Sequence, residues 1–192
     1  MRLTKENKDK IRTRIITGAA KLFRTHGVAA INLDKVMAEA ELTRGAFYAH
    51  FKSKTDLLVA VVRQDHPLLR RLEARTGQTP EALRTQLLEV LEGYLAPQNL
   101  TQVFQGCTLA ALSETTAQAS GDVRTAYGAA RQNILDEMRR GQSDLSAETC
   151  SAVLSLAMGA VLSAAASDTP SRQADILNPA WALVQTLLAA KT

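Results

Sequence analysis

Apolar residues recur along this chain at the three- to four-residue spacing of amphipathic helices, and no stretch alternates convincingly at period two. Over residues 33–40 the spacing i, i+3, i+4, i+7 predicts a short helix whose N-cap is Asn32. A second short helix is predicted to begin after Thr43, with Phe47 and Phe51 together on its inner face. The pattern therefore predicts two short helices joined by a tight turn.

Glycine, proline and capping residues divide the rest of the chain into further helices. One helix is predicted over residues 5–25, and another opens at the capping pair Ser53 and Asp56, with Pro67 kinking or breaking it. The last helix is predicted to start near Pro179. Further helices are predicted over residues 80–96, 106–120, 122–140 and 146–166. About nine helices without a strand predict an all-α fold.

Charge is distributed unevenly along the chain. Residues 1–63 carry 13 Lys/Arg and 6 Asp/Glu, a net charge of +7, whereas residues 64–192 carry 10 and 13, a net charge of −3. A charge run alone indicates no more than a solvated surface. Because this basic part coincides with the two short helices, we expect it to face the phosphates of a nucleic acid.

The helix after Thr43 carries side chains suited to a DNA groove. Arg44 can reach a guanine edge or a phosphate, and Ala46 is small enough to contact a thymine methyl group. Gly45 allows the backbone to approach another surface closely. Lys54 opens the following helix, where its charge and the helix N–H groups can bind a phosphate. An N-terminal arm, expected to add non-specific affinity, comprises Lys5, Lys8, Lys10 and Arg12.

Residues 14–58 resemble the N-terminal domain of the tetracycline-repressor (TetR) family of bacterial transcription regulators. The matching positions are Ala19, Ala20, Leu22, Phe23, Gly27, Asn32, Leu33, Val36, Ala40, Leu42, Thr43, Arg44, Gly45, Phe47, Tyr48, His50, Phe51, Lys54, Leu57 and Leu58. Glu41 stands where the family often has Gly, and a left-handed turn residue would be strained there. The resemblance implies that the Tyr48 hydroxyl binds a phosphate, while His50 either contacts a phosphate or is simply exposed. The predicted DNA-binding residues are thus Asn32, Thr43, Arg44, Gly45, Ala46, Tyr48, His50 and Lys54.

The resemblance also implies an organisation for the whole chain. It implies a helix-turn-helix DNA-binding domain of three helices over residues 1–52 and a ligand-binding and dimerisation domain over residues 53–192. A homodimer through residues 146–190 would read a palindromic operator, with its recognition helices about 34–36 Å apart. The implied function is that of a repressor released from DNA by a small-molecule effector.

The charge-free segment of residues 149–167 fits this dimer. Its 19 residues approach the length of a membrane span, but it lacks the Leu, Ile and Phe density of one. Ser155, Gly159 and Ser163 are four residues apart and would permit close helix approach, although a role in the core of one subunit is the alternative. With no signal-peptide pattern over residues 1–21, we expect no membrane association and a cytoplasmic protein.

Cys107 is a candidate sensor of the signal. It follows Gly106 at a predicted helix start, where the N–H groups favour a thiolate. The segment GCTLAALSE resembles a Gly-Cys segment in a TetR-family branch that includes repressors sensing electrophiles and oxidants through cysteine. The alternative is a small buried apolar residue, which is also what we expect of Cys150.

An enzyme is the rival interpretation from another functional class. The chain holds only His26, His50 and His66, and it has no metal-ligand spacing, no GxSxG motif and no phosphate-binding loop. We therefore expect no catalytic residue, no metal and no cofactor. A third interpretation is an architectural DNA-binding protein without an effector.

Overall fold

The structure is a computed structural model that describes residues 5–97, 100 and 107–189. Within these ranges the chain forms ten α-helices and no β-strand. The helices are α1 (Lys5–His26), α2 (Leu33–Glu39), α3 (Arg44–Phe47), α4 (Lys54–Gln64), α5 (Pro67–Glu73), α6 (Pro80–Leu95), α7 (Thr108–Ala117), α8 (Gly121–Arg139), α9 (Ala147–Ala165) and α10 (Pro170–Ala189). The predicted all-α fold is confirmed. The predicted helix start at Gly106 lies outside the described residues.

Two predictions about proline have different outcomes. Pro67 breaks the helix predicted to run on from Ser53, and it begins α5. The prediction that the last helix starts near Pro179 is wrong, because α10 begins at Pro170 and contains Pro179. Thr169 marks the true start, since its Oγ1 accepts a hydrogen bond from the Arg172 N–H at 3.3 Å. Pro179 is tolerated inside the helix because it lies on an exposed face, where water can bind the carbonyl that lacks its usual N–H donor.

The described chain divides into two compact units. The first consists of Met1–His66 and Ala111–Ala130, and the second of Pro67–Ala110 and Arg131–Thr192. The core of the first unit includes Ile15, Ala19, Phe23, Val36, Met37, Phe47, Phe51, Leu57, Val61, Leu112, Val123 and Ala126. This division by contacts extends the first unit beyond residue 52. The predicted division by function, into residues 1–52 and 53–192, remains a prediction.

Arginine side chains fix the helix ends in the second unit. Arg75 is only 4% exposed and donates hydrogen bonds to the carbonyls of Leu72 at 3.0 Å, Leu83 at 3.1 Å and Glu137. Arg140 donates to the carbonyls of Leu72 at 3.1 Å and Arg75 at 2.9 Å. Of these acceptors, the Leu72 and Glu137 carbonyls lie in the last turns of α5 and α8, where carbonyls have no N–H partner within their own helices. The sequence did not predict this cluster.

In the second unit α9 packs against α10 and α6. By length and composition α9 could cross a membrane, since an 18-residue window has a mean hydropathy of 1.5. In this structure 39% of that window is buried. A core helix of a folded domain passes the same test. The buried face of α9 includes Val153, Leu154, Ala157, Val161 and Ala164.

Candidate functional site

The turn between α2 and α3 is built by matched caps at the two ends of α2. At its start the Asn32 side chain accepts a hydrogen bond from the Lys35 N–H at 2.9 Å, as predicted. At its end the Glu41 N–H donates to the Ala38 carbonyl at 2.9 Å, and the Leu42 N–H donates to the Met37 carbonyl at 2.8 Å. This pair of bonds is a Schellman motif, which requires a left-handed residue after the C-cap.

Glu41 occupies that left-handed position. Its φ of 53° makes it the one non-glycine residue with positive φ in the described ranges. The strain expected from the sequence is therefore present. Arg14 of α1 supports the turn, because its Nη2 donates to the Ala40 carbonyl at 2.6 Å and lies 3.2 Å from the Glu41 carboxylate. The turn that positions α3 is thus braced from α1.

Helix α3 is a single turn held by two buried rings. Phe47 and Phe51 are 0% and 2% exposed, and their ring centroids are 5.6 Å apart. The Tyr48 ring packs edge-on against Phe47 at 5.3 Å, yet Tyr48 is 62% exposed. Thr43 occupies the N-cap position, but its hydroxyl makes no capping hydrogen bond. The predicted inner face, formed by Phe47 and Phe51, is confirmed.

Arg44, the first residue of α3, forms an ion pair with Asp34 of α2. Its Nη1 lies 2.9 Å and 3.1 Å from the two carboxylate oxygens. Both side chains remain exposed, at 61% for Arg44 and 57% for Asp34. Arg44 is therefore displayed at the surface, with its orientation set by a neighbouring helix. The sequence did not predict this partner.

Arg12 is bound to the turn after α3. Its Nη1 donates to the His50 carbonyl at 3.0 Å, and its guanidinium carbon lies 4.3 Å from the centroid of the Phe51 ring. Arg12 is half-buried against this turn, and the non-specific DNA affinity predicted for the arm of Lys5, Lys8, Lys10 and Arg12 stays a prediction. Burial, and then the charges of Arg12 and Lys8, lower the pKa of His50. His50 is half-buried and lies in positive surroundings.

Lys54, the first residue of α4, is bound through its side chain to a backbone carbonyl. Its Nζ donates a hydrogen bond to the Val28 carbonyl, and burial lowers the pKa of its ammonium group. The predicted capping pair is confirmed, since Ser53 Oγ accepts from the Asp56 N–H at 3.0 Å. The Asp56 carboxylate in turn accepts from the Lys52 N–H at 3.0 Å. The phosphate contact predicted for Lys54 stays a prediction.

The candidate surface is therefore formed by α2, α3 and the start of α4. Ala46, His50 and Lys54 are half-buried. A Cβ atom added to Gly45 would meet no atom within 4 Å, so the fold itself does not require glycine there. The remaining predicted residues, all exposed, are Asn32, Thr43, Arg44, Gly45 and Tyr48. All eight residues predicted to bind DNA thus lie on α2 and α3, their caps, the segment after α3 or the start of α4, and none of them is buried.

A second surface, on α9 and α10, is uncovered and rich in small residues. Ser155, Gly159 and Ser163 are all exposed, and a Cβ atom added to Gly159 would meet no atom within 4 Å. On α10 Leu183 is 48% exposed. The small-residue stripe therefore faces away from the core of its own unit.

Both cysteines are buried in the second unit. Cys107 is 2% exposed, and its Sγ accepts a hydrogen bond from the Ala110 N–H of α7 at 3.4 Å. Its position at a helix start is as predicted, while its burial is what the core alternative predicts, so its sensing role stays a prediction. Cys150 is 0% exposed, and burial raises the pKa of its thiol to about 11 despite the charges of Arg139 and Arg75.

Sequence reasoning missed the side chains that brace the surface. Asp34, Arg12 and Arg14 contact residues 10, 38 and 26 positions away along the chain. The position of Asp34 in the first turn of α2 indicated only a favourable charge at a helix start. Nothing in the sequence near these three residues marks their partners, because the contacts arise from tertiary packing.

Comparison with known proteins agrees with this geometry. The family model described as bacterial regulatory proteins, tetR family, matches residues 15–61. The HTH-type transcriptional regulator AcrR of Shigella flexneri is 33% identical over 96 residues, which are 47% of this chain and 45% of that protein. The chain spans about half or less of the curated relatives it matches.

Solved structures with the same fold cover most of this chain. The reduced form of Escherichia coli NemR has a TM-score of 0.68 at 22% identity, covering 92% of this chain and 96% of that one. The SmeT–triclosan complex has a TM-score of 0.59 at 21% identity, covering 94% of this chain and 90% of that one. At these identities the likeness establishes the fold alone.

Proposed function

We propose that this chain, which belongs to the tetR family of bacterial regulatory proteins through residues 15–61, is a DNA-binding transcription regulator that acts as a repressor. The observation that carries the proposal is the display of Arg44 and Tyr48 at the surface of α3 while Phe47 and Phe51 anchor the same turn in the core. A surface that positions polar side chains on a rigid helix is what base and phosphate recognition requires.

Within this proposal each residue has a chemical role. Arg44 offers guanidinium donors to a guanine edge, and Ala46 contacts a thymine methyl group. Tyr48 donates its hydroxyl to a phosphate. A Cβ atom added to Gly45 would meet no atom of this chain within 4 Å, and this open space supports close approach of DNA to the backbone at that point. Asn32, Thr43, His50 and Lys54 complete the set as phosphate contacts, with Asn32 also capping α2.

We also propose a homodimer through residues 146–190. The exposed small residues of α9 support it, because two such stripes can approach closely and bury apolar area from both subunits. A twofold dimer would place two recognition helices on successive major grooves and would therefore select a palindromic operator. We place this dimer in the cytoplasm, with residues 1–52 binding DNA and residues 53–192 carrying dimerisation and the effector site.

The signal that releases the operator is proposed to be a small molecule or an electrophile or oxidant. SmeT is described in complex with triclosan, which supports a small-molecule effector here. NemR is described in a reduced form, which supports the second kind of signal and directs attention to Cys107. The Cys107→Ser variant distinguishes the two: a hypochlorite pulse would release wild type and not the variant if Cys107 is the sensor, and it would not separate the two proteins if the signal is a small molecule.

The proposal is tested by selecting duplexes from a randomised pool with the purified wild-type protein. We expect enrichment of a palindrome whose half-sites are about one helical turn apart. The Tyr48→Ala variant serves as a control, because removing its exposed ring should have little effect on the fold while the loss of a phosphate contact should weaken enrichment. Failure of the wild-type protein to enrich any sequence would contradict the proposal.

A further inference from the structure

The side chain of Arg44 is held from one side by the Asp34 carboxylate. Nη1 of Arg44 lies 2.9 Å and 3.1 Å from the two Asp34 oxygens, so a single nitrogen of the guanidinium serves the whole contact. Asp34 lies in the first turn of α2 and Arg44 is the first residue of α3. The pair therefore crosses the turn between the two helices and links the orientation of Arg44 to α2.

The pairing of Asp34 with Arg44 adds little to the stability of the fold. Both side chains are more than half exposed, and exposed ion pairs contribute little to stability because water screens them. A carboxylate at a surface that binds DNA also repels phosphates and lowers affinity for every sequence. The presence of the Asp34 carboxylate beside Arg44 is therefore better explained by an effect on base selectivity than by an effect on stability or affinity.

The geometry shows how Asp34 can act on selectivity. Guanidinium carries five N–H donors in a planar fork, and Asp34 engages only those of Nη1. The opposite edge, formed by Nε and Nη2, keeps the donor pair that fits guanine O6 and N7. A guanidinium fixed in this way loses less conformational freedom on binding, and it is less able to swing towards a phosphate or another base.

We propose that Asp34 is a specificity-determining positioning residue, which holds Arg44 so that its free edge selects guanine over other bases. The inference rests on the proposed function and adds to it the residue that enforces base choice. A carboxylate beside the guanidinium also disfavours the alternative in which Arg44 binds a phosphate, since Asp34 would then lie against the same negative charge.

The test uses full-length protein and the duplex that wild type selects from the randomised pool. The Arg44→Ala variant first identifies the base pair at which guanine preference is lost. Dissociation constants are then measured for the selected duplex and for a duplex with adenine in place of that guanine. Wild type should discriminate between the two by about tenfold or more. Asp34→Asn should lower this ratio at least about threefold while binding the adenine duplex more tightly.

Glu39→Gln is the matched control. It removes the same charge from α2, but Glu39 pairs with Lys21 at 2.7 Å and not with Arg44. This variant should leave the guanine-to-adenine ratio unchanged. Asp34→Glu keeps the charge near the helix start while moving the carboxylate by one methylene, so it should also lower the ratio. This variant keeps the test valid if Asp34→Asn disturbs the fold of α2.

Two results would overturn the inference. One is an unchanged ratio in both Asp34 variants, with Asp34→Asn binding the two duplexes more tightly by one common factor, because Asp34 would then only repel DNA. The other is a change in the guanine-to-adenine ratio of Arg44→Ala when Asp34→Asn is added to it, since Asp34 would then act independently of Arg44. Failure to enrich any duplex would instead contradict the proposed function itself, so the two failures are distinguishable.

Discussion

Arg24, in the last turn of α1, forms a buried ion pair with Asp65, the residue that caps the end of α4. The two side chains are only 9% and 11% exposed. The two residues are 41 positions apart in the chain. Their pair joins two helices, α1 and α4, that both pack in the core of the first unit. Removing one member of a buried pair is costly, because the remaining charge keeps its desolvation penalty.

We therefore predict that Asp65→Ala lowers the free energy of unfolding by about 3–5 kcal/mol. Urea unfolding followed by circular dichroism measures the change. Glu39→Ala is the control, because it breaks the more exposed Lys21–Glu39 pair and should cost no more than about 1 kcal/mol. Equal small losses in the two variants would show that the buried pair contributes no more than a surface one.

The left-handed conformation of Glu41 leads to a second prediction. Glu41→Gly should relieve the backbone strain and stabilise the protein by about 1 kcal/mol, whereas Glu41→Ala keeps a Cβ atom and loses the contact with Arg14. Thermal unfolding of the two variants isolates the backbone effect, because both lack the carboxylate. A Glu41→Ala protein as stable as Glu41→Gly would show that the turn is not strained.

Capping and turn signals account for what the sequence predicted well. Asn32 and Ser53 were each predicted to cap a helix, and each accepts the N–H three residues on. Thr79 and Ser146 do the same at the starts of the helices predicted over residues 80–96 and 146–166. Such bonds are local, so residue type and spacing are sufficient to predict them. Thr169 carries the same signal, but the prediction placed the helix start at Pro179, because an exposed proline inside a helix looks like a boundary.

The contacts that orient the candidate surface could not be predicted in this way. Asp34 and Arg44 are separated by a turn whose geometry depends on the left-handed Glu41. Arg12 reaches the His50 carbonyl only because folding brings α1 beside the turn that follows α3. The sequence therefore predicted which side chains form the surface. It did not predict which of them are held by partners from other helices.

The lowered pKa of His50 leads to a pH-dependence prediction. Burial, Arg12 and Lys8 keep its pKa below the ordinary value of about 6.5 in the free protein, whereas a bound DNA phosphate beside the ring would raise it. Between these two pKa values the complex binds more protons than the free protein, so affinity should rise as pH falls through that window.

Dissociation constants for the selected duplex, measured between about pH 8 and pH 5.5, test this prediction. His50→Gln should remove the rise in affinity at low pH, while His26→Gln, which changes an exposed histidine at the end of α1, should retain it. The same pH dependence in His50→Gln would place the phosphates elsewhere and leave His50 simply exposed.

The open space around Gly159 leads to a prediction about assembly. A Cβ atom added to Gly159 meets no atom within 4 Å, so Gly159→Leu should leave the protomer folded but overpack the dimer by about 1–3 kcal/mol. Sedimentation should show the variant dissociating at concentrations where wild type is dimeric. Gly128→Leu is the matched control, since Gly128 is also exposed on a helix, has no atom near its Cβ and lies outside residues 146–190. A stable wild-type monomer at micromolar concentration would contradict the dimer.

The central claim is that α3 is the surface that reads DNA, and the most direct measurement is the affinity of three variants for the selected duplex and for a scrambled duplex across a range of salt concentrations. Arg44→Ala should lose about 1–3 kcal/mol on the selected duplex only. Tyr48→Phe and Lys54→Ala should weaken both duplexes alike, and Lys54→Ala should also reduce the salt slope by about 1. If all three variants bind the selected duplex as tightly as wild type at every salt concentration, α3 and the start of α4 do not contact DNA.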